Sequence, residues 1–136
     1  TVRIMNGLIA GFGTAINGKD SWVVENMRIS ANSGTGVHLF DFARVQRNTI
    51  TLNATGIHCA DGCLAEGNVI SKNGVGVEIN TGTVLGNTIT SNSGVGIKAF
   101  AIAFGNNLLH HNNNQGAQVD ADNLIPLQPN ACSPSC

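Results

Sequence analysis

The stretch NTITLNATGIHC at 48–59 is followed by NVISKNGVGVEI at 68–79 and NTITSNSGVGIK at 87–98. Working outward, looser copies appear as NMRISANSGTGVHL at 26–39 and NLLHHNNNQGAQV at 107–119. Each begins Asn-x-Ile or Asn-x-Leu, with one extra residue in the copy at 26, runs through a short polar stretch containing a second Asn, and reaches a glycine followed by apolar and polar residues in alternation. The glycines fall at Gly36, Gly56, Gly76, Gly96 and Gly116, one every 20 residues. A fixed period of this length marks a solenoid, in which each repeat buries its apolar face only against its neighbours.

Within a copy the apolar residues alternate: Val37/Leu39, Ile57/Cys59, Val77/Ile79, Ile97/Ala99 and Ala117/Val119. A period of two signals strand, and the runs are too short for helices. A second apolar pulse comes at Ile29, Ile50, Ile70, Ile89 and Leu109. A third comes at Val23, Val45, Val84 and Phe104, with Leu64 or Ala65 in that place in the remaining copy. Three short strands per repeat describe one coil of a triangular parallel β-helix. The expected fold is all-β, with about six coils of roughly 20 residues stacked at ~4.8 Å. The coils are expected to occupy residues 1–123. The remainder, 124–136, carries the three prolines and two of the four cysteines, and is expected to pack on the last coil or extend from it.

Turn residues agree with that reading. Asn32, Asn53, Asn73, Asn92 and Asn112 stand at equivalent places before the glycine, and stacking in register would make them an amide ladder. Asn26, Asn48, Asn68, Asn87 and Asn107 form a second column. Gly36, Gly56, Gly76, Gly96 and Gly116 are expected to adopt a backbone conformation closed to other residues.

The phrase N-x-I-x-x-N-x-G-x-G-[VI] resembles the right-handed parallel β-helix repeat of the pectate-lyase-like superfamily, and within it the uncharacterised repeat proteins secreted by bacteria. The resemblance covers residues 1 to about 125. It implies a fold that hosts lyases, hydrolases, epimerases, adhesins and fibres, so function has to be argued from the site. It also implies a secreted, extracellular, bacterial protein.

Only 11% of residues are charged and the formal net charge is −1, so there is no basic stripe for nucleic acid. No run approaches the ~18 consecutive apolar residues of a helical membrane span. No cofactor motif is present. Cys59/Cys63 and Cys132/Cys136 are spaced unlike zinc pairs and read as local disulfides of an oxidising compartment. The chain begins at Thr1 without Met or signal peptide and reads as a processed form or a fragment. With no capping element ahead of Thr1, the first coil is expected to leave an open sheet edge that pairs with another chain.

Chemistry concentrates in one place. Two residues after each glycine come His38, His58, Glu78, Lys98 and Gln118; five after come Asp41, Asp61, Thr81, Ala101 and Ala121. His38, Asp41, His58 and Asp61 are therefore the catalytic candidates. The two aspartates would act as a carboxylate pair on a glycoside, or a lyase would use Arg44 or Arg47 as base. His38, His58 and Glu78 are the metal-ligand candidates. The competing reading is a solvated polar face. Phe40 and Phe100 share one repeat position, where they either pack under turns or mark a contact patch. Asn53-Ala54-Thr55 is a glycosylation sequon placed on the turn ladder. His110-His111 sits in an Asn-rich turn and reads as a variable loop. The leading expectation is a non-catalytic structural or adhesive β-helix that associates end to end. Polysaccharide binding or cleavage, and a fragment of a longer β-helix, are the alternatives.

Overall fold

A computed structural model describes all residues, 1–136. The chain winds as a parallel β-solenoid in which strands pair, in register, with strands about one repeat earlier and later, those at the ends on one side only. Each coil presents three strand positions. The second position forms its own seven-stranded sheet: Leu8–Ala10, Arg28–Ser30, Thr49–Thr51, Val69–Ser71, Thr88–Thr90, Leu108–His110 and Ala131–Ser133. The first position starts with Arg3–Met5, Val23–Glu25, Arg44–Gln46 and Cys63–Glu66, the third with Ile16–Asn17, Thr35–Leu39 and Thr55–Cys59. In later coils these two positions fuse, because Val75–Leu85, Ile97–Gly105 and Val119–Pro126 run through the corner without a break. The result is one ten-stranded sheet bent around two sides of the triangle. There are thus about seven turns. The segment after residue 123 contributes to the last of them, with Leu124 opposite Ile102 and Cys132 opposite Leu109. No helix of the structure is long and apolar enough to cross a membrane.

The core is a set of aliphatic stacks. Ile29, Ile50, Ile70, Ile89 and Leu109 are fully buried and paired coil to coil. The first-position stack is Val24, Val45, Ala65, Val84 and Phe104: Val24 points inward in place of the expected Val23, and Ala65 rather than Leu64 fills its coil. Burying each such side chain stabilises by about 1.5–3 kcal/mol before chain entropy is counted.

Two of the corners are held by amide ladders. Asn53 Oδ1 accepts both the backbone N–H of Asn32 at 3.2 Å and its side-chain Nδ2–H at 2.8 Å. Asn73, Asn92 and Asn112 repeat this in turn. Asn73 Nδ2 also donates to Ile50 O, so that amide uses both its donors and both its lone pairs. No buried side-chain nitrogen or oxygen lacks a partner.

The second ladder corrects one expectation. It runs Asn48, Asn68, Asn87, Asn107 and then Asn130. Asn26 is not in it; Met27 fills that slot and donates its backbone N–H to Asn48 Oδ1. Asn26 stands one residue earlier at φ +51°, in the row that continues with Arg47, Gly67, Gly86 and Asn106, all at positive φ. The residue before each first-ladder Asn behaves alike: Ala31, Leu52, Lys72, Ser91 and His111 are all left-handed.

The repeat glycines are also explained differently. Gly36, Gly56, Gly76 and Gly96 do not have positive φ; they are pressed against the next coil. A Cβ on Gly56 would stand 2.5 Å from Gly76 O and 2.9 Å from an Ile70 methyl. Space, not dihedral freedom, demands glycine there. Gly116 does not belong to this column. A 3-10 turn at Asn113–Gln115 shifts the register, so Ile97 pairs with Val119 and Gln118 takes the glycine place. The Gln118 side chain turns inward, fully buried, and its Oε1 receives both Asn112 donors as the ladder's last amide.

Candidate functional site

The third-position strands carry one polar row on their outer side. Register pairing sets Asn17 beside His38, His38 beside His58, then Glu78, Lys98 and Asp120. Alternation puts these outward because Val37/Leu39, Ile57/Cys59 and Val77/Ile79 face the core. The row ends in Asp120 rather than Gln118, for the register reason above. Ala121 likewise moves to the place opposite Ala99.

His38 and His58 meet face to face, with ring centroids 4.7 Å apart and planes 17° from parallel. Phe40 covers the stack on the His38 side at 5.5 Å. Burial, and secondarily the His58 charge, hold the His38 imidazole below its ordinary 6.5. Stacked rings aim their nitrogens along parallel planes, which is unlike two ligands converging on one ion. Glu78 pairs instead with Lys98, Nζ to Oε1 at 3.0 Å. That hydrogen bond, then the charges of Glu78 and Asp120, keep the exposed Lys98 ammonium above its ordinary 10.5. His38, His58 and Glu78 are therefore neighbours in a row without forming a three-ligand cluster.

Asp41 and Asp61 lie around the corner and are engaged in hydrogen bonds from the next coil. Asp20 Oδ1 accepts Asp41 N–H at 3.3 Å, and Asp41 Oδ1 accepts Asp61 N–H at 3.1 Å. Asp61 Oδ1 accepts from Asn80 Nδ2 and from Thr81 Oγ1 at 3.0 Å. The aspartates thus make a carboxylate version of the amide ladder at the third corner. The Cys59–Cys63 disulfide closes across that corner, and Cys132–Cys136 closes the second pair. Arg47 is engaged too: with Arg3 it clamps the buried Glu25 carboxylate, at 2.8 Å. Arg44 remains exposed on the first-position strands. Asn53, whose sequon was noted, is buried in its ladder and out of reach of a glycan.

Residues that sequence reading missed are Asp122 and Asn80. With His58, Glu78, Lys98 and Phe100 they line a groove of about 390 Å³. Phe100 forms one wall and stays 54% exposed. The 22-residue offset between Ile97 and Val119 is the signal that brings Asp122 here; only the longer polar run at Asn112–Gln115 hints at it in the sequence.

Parallel strands in register, inward aliphatic stacks and corner ladders agree with one further finding. Residues 13–131 match the family described as right handed beta helix region. The chain belongs to the right-handed β-helix family. No curated protein and no solved structure matches it. Membership of the right-handed β-helix family accounts for the stacks and the ladders. It assigns no chemistry to the His58–Asp122 flank.

Proposed function

We propose that this β-helix is an extracellular, non-catalytic structural or adhesive element. The observation that carries this reading is the engagement of Asp41 and Asp61 in corner hydrogen bonds. A general acid or nucleophile needs a carboxyl group facing substrate, and these two face the next coil. Two disulfides support an oxidising compartment. Self-association follows the rule that joins coil to coil within the chain. An outermost parallel strand has one unpaired edge, and its natural occupant is another coil.

The test has two arms. Light scattering and negative-stain microscopy over a concentration series should reveal species that grow by stacking; a strict monomer at high concentration rejects the end-pairing part. Incubation with a panel of acidic and neutral polysaccharides should give no turnover. Cleavage by the parent chain that disappears in Asp61→Ala would overturn the non-catalytic reading.

A second reading is favoured by the groove at Phe100. An exposed aromatic face beside Lys98, Glu78 and Asp122 suits the apolar side and hydroxyls of a sugar. Binding of a polysaccharide that is lost in both Phe100→Ala and His58→Ala, with unchanged melting, would support it. Equal retention by parent and variants on every polysaccharide would reject it.

A further inference from the structure

His110 and His111 bring two imidazole nitrogens together in a way neighbouring strand residues normally cannot. Consecutive side chains on a strand point to opposite faces. Here His110 ends the strand Leu108–His110, and His111 follows at φ +56°. The left-handed residue reverses the chain's direction, so the two rings share one side. Their centroids lie 4.6 Å apart with planes at 72°, and the two Nδ1 atoms are 2.9 Å apart. The backbone beneath is pinned on both sides. His110 O accepts Ser91 N–H, and Asn112 is clamped to Gln118 by three bonds. Both rings reach solvent, His111 fully on the surface and His110 half-buried.

We propose that His110 and His111 form a bidentate site for a divalent transition metal of tetragonal preference, Cu(II) before Ni(II) and Zn(II). The spacing makes the choice. Metal–imidazole bonds of about 2.0–2.1 Å put two ligands about 2.9 Å apart at a right angle, and about 3.3 Å apart at the tetrahedral angle. The hydrogen bond already holds the two nitrogens 2.9 Å apart, so a right-angled bite needs the rings to turn but not to separate. Cu(II) also heads the affinity order for nitrogen sites. In the metal-free protein one ring donates its Nδ1–H to the other. On binding, that proton moves to Nε2 of the same neutral ring, so both Nδ1 lone pairs face the ion and no net charge is displaced. Water completes the coordination. His38 and His58 serve as the internal contrast, since their stacked rings lie nearly parallel.

Sibling coils supply replacements that preserve the fold: Thr90 is the register partner of His110, and Ser91 is the left-handed counterpart of His111. The full chain and its variants His110→Thr, His111→Ser, the double variant and His58→Ala are titrated with CuSO4, NiSO4 and ZnSO4. Isothermal calorimetry gives affinity, and electron paramagnetic resonance reports nitrogen coordination to Cu(II). The parent and His58→Ala should bind one Cu(II) with a two-nitrogen signature. Each single variant at 110 or 111 should bind roughly tenfold or more weakly, at least the loss that removing an outer-shell partner brings. Parent affinity no better than that of the double variant overturns the site. Zn(II) binding tighter than Cu(II) overturns the tetragonal assignment.

Discussion

Two kinds of position carry the geometry of this protein, one that admits no side chain and one that holds a left-handed backbone. Gly56 lies where a methyl group would meet Gly76 O and Ile70. Gly56→Ala should therefore cost about 2–3 kcal/mol by overpacking, read as a lower urea midpoint with unchanged slope. An unaltered midpoint would show that the coils can part at no cost. Leu52 presents the opposite case: 56% exposed, at φ +60°, it makes little use of its side chain. Asparagine visits that conformation more readily, so Leu52→Asn should stabilise by about 0.5–1 kcal/mol, checked by thermal melting. Most inward aliphatics were legible in the sequence because alternation reports burial directly; Val24 for Val23, and the exposed Ala117, are the exceptions. The left-handed row was not, since Ala31, Leu52, Lys72, Ser91 and His111 share no chemistry. What they share is their place before a ladder amide, which pulls the chain into that corner.

Strands and ladders act as elements across coils, and there the sequence beat and the structure part company. A beat of 20 counts residues, whereas hydrogen bonds follow coils. Met27 for Asn26, and Gln118 for Gly116, are two places where the counts diverge. The row His38, His58, Glu78 and Lys98 was legible because it stays within the regular coils. The engagement of Asp41 and Asp61 was not, because their partners lie on other coils. Removing one mid-ladder amide tests the element: Asn73→Ala strands the backbone N–H of Asn53 and one of its two Nδ2 hydrogens, the other staying on Thr51 O. At about 1–3 kcal/mol per buried unpaired group, the loss should be about 3 kcal/mol or more in chemical denaturation. The imidazole stack makes a pH prediction. Folding favours neutral His38, while the unfolded chain protonates near 6.5. This contribution is complete above that pH and is lost as pH falls through the lower folded value. Urea midpoints should drop between pH 7.5 and 5, with a shallower drop in His58→Gln, where one of the two causes is removed. Equal slopes in parent and variant would rule out the contribution of the stack.

On the scale of the whole molecule, stability is distributed along an axis. Each coil buries its isoleucine between two neighbours, and an outer coil has only one: Ile70 is fully buried, while Ile9 stays half-exposed against Ile29. Stability in such a stack is close to a sum of coil terms and interface terms. Opening should then begin at the outer coils and reach the centre last. Native-state hydrogen exchange should accordingly show a gradient, with slowest amides at Thr49–Thr51 and Val69–Ser71, and fastest at Arg3–Met5 and Ala131–Ser133. Substitutions extend the argument. Ile70→Ala removes packing from the middle and should lower protection on both sides of it, by about 2–5 kcal/mol at the centre. Ile9→Ala should act only on the first two coils. The ladders oppose this localisation, because a chain of amides running from Asn32 to Gln118 couples distant coils. Uniform protection from one end to the other, with equal response to both substitutions, would mean that the ladders bind all coils into one cooperative unit. A gradient that Ile70→Ala lowers on both sides, and Ile9→Ala only locally, would mean that stacking sets the unit of unfolding and the amides only hold its register.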